Sequence, residues 1–223
     1  MLKLSVRGAE HSLGSVLAIG AHADDIEIGC GGTILQLTDA YPELDVTWVV
    51  LSAGAERAEE VRRSATDFLV NVPSQRVVVA DFRDSFFPYV GPEIKEFFES
   101  LKLEVSPDVV FTHYRSDLHQ DHRLASELTW NTFRNHLIFE YEIPKYDGDF
   151  GSPNVFVHLT ESVARRKIEN LLLHFYSQRD RHWFTEDLFF SMLRLRGMES
   201  NSPTSYAEAF YGRKVVLDDR RKP

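Results

Sequence analysis

One cysteine, Cys30, is all that the 223 residues contain. No intrachain disulfide can form, which excludes the stapled framework of a small secreted domain and fits a reducing, cytoplasmic location. Long apolar runs are missing too. The hydrophobic stretches are strand-sized, far short of the ~20 residues that cross a bilayer, and the N-terminus has no apolar core between basic residues and a cleavage site. A soluble cytosolic protein without a membrane span is expected. Positive charge is also scarce: 25 Lys and Arg stand against 34 Asp and Glu, a formal charge of -9. A nucleic-acid backbone is therefore not an expected partner. The nearest basic cluster, Arg220 to Lys222, reads as a short solvated tail. Glycine and proline are scattered, so no linker or low-complexity segment divides the chain, and no internal repeat is visible. One domain over residues 1–223 is expected, with a homo-oligomer left open.

What is present is an alternation of short apolar runs and amphipathic stretches. Val16 to Gly20, Val46 to Leu51, Val77 to Ala80 and Val109 to Thr112 read as buried strands. Between them, a glycine turn opens into a helix carrying Ile34, Leu35 and Leu37, Glu56 to Val70 has helical spacing, and Pro92 to Val105 is a helix begun by proline. Further on, Leu137 to Ile143 and Asn154 to Leu159 suit strands, and Glu161 to Tyr176 and Glu186 to Leu195 suit helices. The predicted fold class is α/β, a Rossmann-like, mostly parallel sheet with helices on both faces.

In such sheets ligands bind beyond the carboxyl ends of the strands. Two polar clusters fall there. Ala21 to Glu27 (AHADDIE) follows the first strand, and His113 to His122 (HYRSDLHQDH) follows the Val109 strand. A histidine beside two adjacent carboxylates near a sheet edge is costly to bury unless it binds something, and a cation answers that cost. Two His and one Asp drawn from the two loops make a zinc site with an open position for water. One of Asp24 and Asp25 could cap the next helix, and His113 taken alone reads as structural. Gly29 and Gly31 to Thr33 do not match a dinucleotide or P-loop fingerprint and read as tight turn and helix packing.

AHADDIEIGCGGT and HYRSDLHQDHRLAS resemble, in order and spacing, the two signatures of the PIG-L/LmbE-like de-N-acetylases. The likeness extends to Arg57 to Glu60, to Phe82 to Phe87 with Asp84, and to SYAEAF near residue 210. One departure is Ala23, where the family usually has proline. The resemblance implies His22, Asp25 and His122 as metal ligands, Asp24 as general base and His119 as the group that meets the reacting atoms. It also implies an N-acetylated amino sugar as substrate, free or conjugated, hydrolysed by a metal-activated water, with Zn2+ the default ion and another divalent metal compatible. His119 is expected to act as a protonated imidazole, with Asp117 or Asp121 orienting a histidine from behind. Arg57 and Asp84 are candidates for contacting the sugar or an attached anionic group. Two rivals remain: a non-haem iron oxygenase, which also uses two His and a carboxylate, and a non-catalytic sugar- or metal-binding module on the same fold.

Overall fold

The computed structural model describes residues 13–216, so the Arg220 to Lys222 cluster lies outside the described residues. The chain runs β1 (Ser15–His22), α1 (Asp25–Ala40), β2 (Asp45–Ser52), α2 (Ala55–Phe68), β3 (Ser74–Val79), α3 (Gly91–Glu104), β4 (Val109–His113), α4 (Gln120–Thr132), β5 (Leu137–Tyr141), β6 (Val155–Leu159), α5 (Glu161–His174), α6 (Glu186–Glu199) and β7 (Tyr206–Gly212). The strands form one sheet in the order β3-β2-β1-β4-β5-β7-β6. Pairing from β3 across to β5 is parallel, and β7 runs antiparallel to both β5 and β6.

Side chains along β1 alternate between two cores, as the pleat requires. Val16 and Ala18 face the layer of α1, α2, α5 and α6, while Leu17, Ile19 and Ala21 face that of α3 and α4. Because both faces are covered, the inner strands read as continuous apolar runs rather than alternating ones. The strand at the edge departs from expectation: β3 was expected to be buried, but its valines are only partly covered because it has a neighbour on one side only. No helix among the described residues is long and apolar enough to cross a membrane.

Gly29, Gly31 and Gly32 bear out the helix-packing half of their reading and correct the turn half. They lie inside α1, which begins directly after Asp24, and they are there because α1 packs too closely for a Cβ. A Cβ at Gly29 would stand 2.1 Å from Cδ2 of Tyr141, a fully buried ring whose hydroxyl donates to the Ile19 carbonyl at 2.6 Å. Gly29→Ala is accordingly expected to lower stability by about 1–3 kcal/mol through overpacking. A urea unfolding curve checks this, and an unchanged midpoint would contradict the tight packing.

The chain turns back at the centre of the sheet. From β1 it proceeds outward through β2 to β3, then returns to place β4 on the other side of β1 and continues to β5. The crevice above the carboxyl ends of β1 and β4 is the topological switch point, where open α/β sheets bind ligands. β1 ends on His22 and β4 on His113.

Candidate active site

The loop after β1 is a single turn. His22 closes the strand, Asp24 takes a left-handed backbone (φ 99°), and α1 starts at Asp25. A left-handed non-glycine residue is strained, and such strain persists where surrounding structure enforces it. Here the Arg57 guanidinium enforces it from α2, donating to the Ala23 carbonyl at 2.7 Å and pairing with the Asp24 carboxylate at 3.1 Å. Arg57 thus ties the turn that the family's proline would stiffen. Asp24 caps no amide, so its carboxylate is not engaged by its own helix.

The loop after β4 delivers the second set. His119 caps α4, its Nδ1 accepting the Asp121 amide at 3.2 Å, and His122 projects from the first turn. Across the crevice, His22 Nδ1 stands 3.2 Å from His122 Nε2, and Asp25 Oδ2 lies 3.6 Å from the first and 3.7 Å from the second. Ligands about 2.0–2.1 Å from a tetrahedral ion lie about 3.3 Å from one another, so this triangle has the dimensions of three metal ligands. Among the described residues three overlapping trios bring ligand atoms within 4.8 Å: His22, His119 and His122; Asp25, His113 and His122; and His22, Asp84 and Asp121. The expected ligands are distributed over the first two.

Each ring is held from behind by a carboxylate. His22 turns Nε2 to Asp121 at 3.2 Å and to Asp84 at 3.3 Å, while His122 turns Nδ1 to Asp117 at 3.0 Å. Asp121 is itself fixed by the amides of Ser85 (2.6 Å) and Phe87 (3.1 Å). A carboxylate on one ring nitrogen directs the lone pair of the other, as behind metal-ligating histidines generally. The two histidines therefore present opposite nitrogens to the same point, beside an anionic oxygen. Three acceptors converging in a buried crevice repel one another unless positive charge lies between them.

Ionisation follows the same field. Burial alone would lower His22, but Asp121, Asp25 and Asp84 outweigh it and raise its pKa well above the ordinary value. Burial, reinforced by His113, lowers His122 to about 3 and leaves it neutral, the form that ligates a metal. Burial would raise Asp25, yet the facing His113 and His122 hold it well below the usual carboxylate range. Asp24 has the opposite fate: burial pushes it up to about 7, with Asp25 adding to the rise and Arg57 opposing it. Two adjacent carboxylates thus separate into a permanent anion and a group poised to exchange a proton near neutrality.

For His119, expected to act as a protonated imidazole, the shift runs the other way. Burial, followed by the charge on His22, lowers its pKa, and with Nδ1 accepting an amide proton the neutral ring carries its hydrogen on Nε2. Its ring centroid lies 4.9 Å from that of His22 and 4.5 Å from that of His122. Arg57 was expected at the substrate but is engaged by Asp24 and Ala23, whereas Asp84 stands at the rim with 61% of its side chain exposed. His113 is fully buried, stacks on His122 with centroids 4.0 Å apart, and lies 3.1 Å from Asp25. It buttresses two expected ligands from below. Tyr141 lies beneath it, 3.3 Å from its ring nitrogen, and does not line the mouth.

Fold and site together define an α/β protein with a His/Asp candidate cation pocket at the switch point of its sheet. Residues 17–133 match the family model described as PIG-L, GlcNAc-PI de-N-acetylase, and the chain belongs to that family. It is 30% identical to YaiS of Escherichia coli K12, described as an uncharacterized deacetylase, over 171 residues covering 71% of this chain and 89% of that protein. A diacetylchitobiose deacetylase of Thermococcus kodakarensis is 32% identical over 133 residues, 51% of this chain and 46% of that protein. Among solved structures, the conserved protein TT1542 of Thermus thermophilus superposes with a TM-score of 0.71 at 21% identity, covering 93% of this chain and 98% of that one. A 4-carboxy-2-hydroxymuconate hydratase, GalB, superposes with a TM-score of 0.66 at 17% identity, covering 92% and 99%. Likeness at that identity shows the fold alone, so the reaction has to be argued from the site.

Proposed function

We propose that this enzyme hydrolyses the N-acetyl group of an amino sugar or amino-sugar conjugate, with a divalent metal, Zn2+ by default, held by His22, Asp25 and His122. The observation that carries the reading is the convergence of two oppositely presented imidazole nitrogens and one carboxylate oxygen on a single point, next to a second buried carboxylate, Asp24, that Arg57 holds in place. When bound, such an ion supplies Lewis-acid polarisation of the amide carbonyl and acidifies water.

The chain's own groups carry the proton traffic. Asp24 accepts a proton from the attacking water, its carboxylate aimed by Arg57 and its basicity raised by burial. His119 offers a neutral Nε2–H as a hydrogen bond to the oxygen that becomes anionic, and the proton taken up by Asp24 passes to the departing amine. Asp117 and Asp121 fix the ligand rings from behind, and Asp84 at the rim is placed to accept hydrogen bonds from sugar hydroxyls. An iron oxygenase would have no use for a second carboxylate tuned to neutrality, whereas hydrolysis needs one. The described residues work as one catalytic domain, since both ligand loops leave the same sheet. The buried lone Cys30 and the acidic composition support a cytoplasmic setting.

The matching family is described by GlcNAc-PI and one relative by diacetylchitobiose, so the reactive end common to both, an N-acetylglucosamine unit carrying a further group, is the favoured substrate. Contacts remote from the amide raise turnover by positioning it. Incubating the metal-loaded protein with N-acetylglucosamine, chito-oligosaccharides and N-acetylglucosaminyl conjugates, followed by mass spectrometry, is expected to show loss of one acetyl group. The extended members should be favoured by about tenfold or more in kcat/KM. Equal values across the panel would remove the role of the attached group, and no deacetylated product from any member would remove the reading.

A further inference from the structure

Behind His122 the chain of contacts continues into a segment that sequence reading did not connect with the site. Asp117, only 1% exposed, accepts from His122 Nδ1 at 3.0 Å and from the Lys145 ammonium at 2.8 Å through the same oxygen, Oδ2. Lys145, 12% exposed, also donates to Asp149 at 2.6 Å and to the Ile143 carbonyl at 3.2 Å. The other Asp149 oxygen accepts the Leu118 amide at 2.6 Å, one residue from Asp117. Residues 142–151, which leave the end of β5, therefore grip the His113 to His122 loop at two points. The strap is closed at its base: Glu142 pairs with Arg196 at 2.7 Å and accepts from Tyr211 at 2.8 Å, and Arg196 also reaches the Gly151 carbonyl at 3.3 Å.

We infer that Lys145 is a positioning residue for His122, its ammonium shared between Asp117 and Asp149 so that the 142–151 strap fixes the carboxylate that orients this ring. The inference rests on His122 being a metal ligand. Without Lys145, Asp117 would keep a buried negative charge with one strong partner fewer. Such a group turns toward other donors or admits water, and His122 loses its fixed support. Partners of this kind behind a metal-binding histidine typically govern about 10–100-fold in metal affinity. An opposite effect competes, because removing a cation near the metal favours binding of a second cation. The competing effect is the smaller one here: Lys145 faces the ion only through Asp117 and His122, whereas the geometric constraint acts on the ligand itself.

The test is a chelator-competition titration of Zn2+ with the full chain, independent of any substrate. Lys145→Met is expected to weaken binding about tenfold or more, Asp149→Asn severalfold, and Lys145→Arg to restore affinity to within about threefold of the parent. Circular dichroism confirms that the variants are folded, and should Lys145→Met fail to fold, Asp149→Asn decides. Binding by the folded Lys145→Met protein, or in its place by Asp149→Asn, that is unchanged or tighter would overturn the inference while leaving the site reading intact. A parent protein that binds Zn2+ no better than His122→Ala would instead overturn the site reading itself, and this inference with it.

Discussion

His122→Ala is expected to lose both the bound metal and all but a trace of turnover. On the proposed reading His122 supplies one of three ligand atoms; burial depresses its pKa to about 3, and Asp117 holds its ring at 3.0 Å. Its loss leaves two protein ligands where a catalytic zinc needs three. A fall in activity of about 10³-fold or more follows, together with loss of stoichiometric metal after dialysis. Metal analysis by mass spectrometry alongside an acetate assay reads both quantities. Full metal occupancy in the variant would show that another trio, such as His22, Asp84 and Asp121, holds the ion.

Asp24→Asn is expected to give the complementary result. The substitution preserves shape and can still accept a hydrogen bond from Arg57, but an amide cannot take a proton from water. Metal content should stay that of the parent while kcat drops by about 10²–10⁴-fold, the range typical for loss of a general base. Asp25, one residue away, is expected to behave differently because its carboxylate faces His22 and His122 rather than Arg57. Loss of metal from Asp24→Asn would collapse the distinction between the two neighbours. An unchanged kcat would remove Asp24 from the chemistry.

The parts of this site that lie at strand ends were legible in the chain because of a contrast. Apolar runs at Val16 and Val109 stop abruptly at polar loops, and a buried parallel strand leaves no other place for His22 or His113. The helix that presents His122 was not legible. The buried face of α4 consists of Asp121, His122, Ala125, Ser126, Thr129 and Thr132, small or polar groups that make no apolar stripe at helical spacing. The His119 cap and the charged first turn were the available signals. In α1 the reading of tight turn and helix packing holds in its second half only: the glycines are close-packing positions inside the helix, because a helix against Tyr141 and Glu208 has no room for a Cβ.

Long-range charge pairing left no local trace at all. Lys145 and Asp117 are 28 residues apart, Arg196 and Glu142 54, and Lys167 and Glu208 41. Each is an ordinary surface residue by type, and only the crossing of distant segments makes it a buried partner. The redirection of Arg57 from substrate to Asp24 belongs with these. Its position on α2 was readable, but the direction of its guanidinium depends on how the α2 layer sits against the turn after β1.

Metal-dependent deacetylation at this site is tested most directly by acetate release from a chito-oligosaccharide by metal-stripped protein as Zn2+ is added back in sub-stoichiometric steps. Negligible release by the stripped protein is expected, then a linear rise with bound ion and a break at one ion per chain. Full activity in the stripped protein, or no acetate at any metal content, would contradict it.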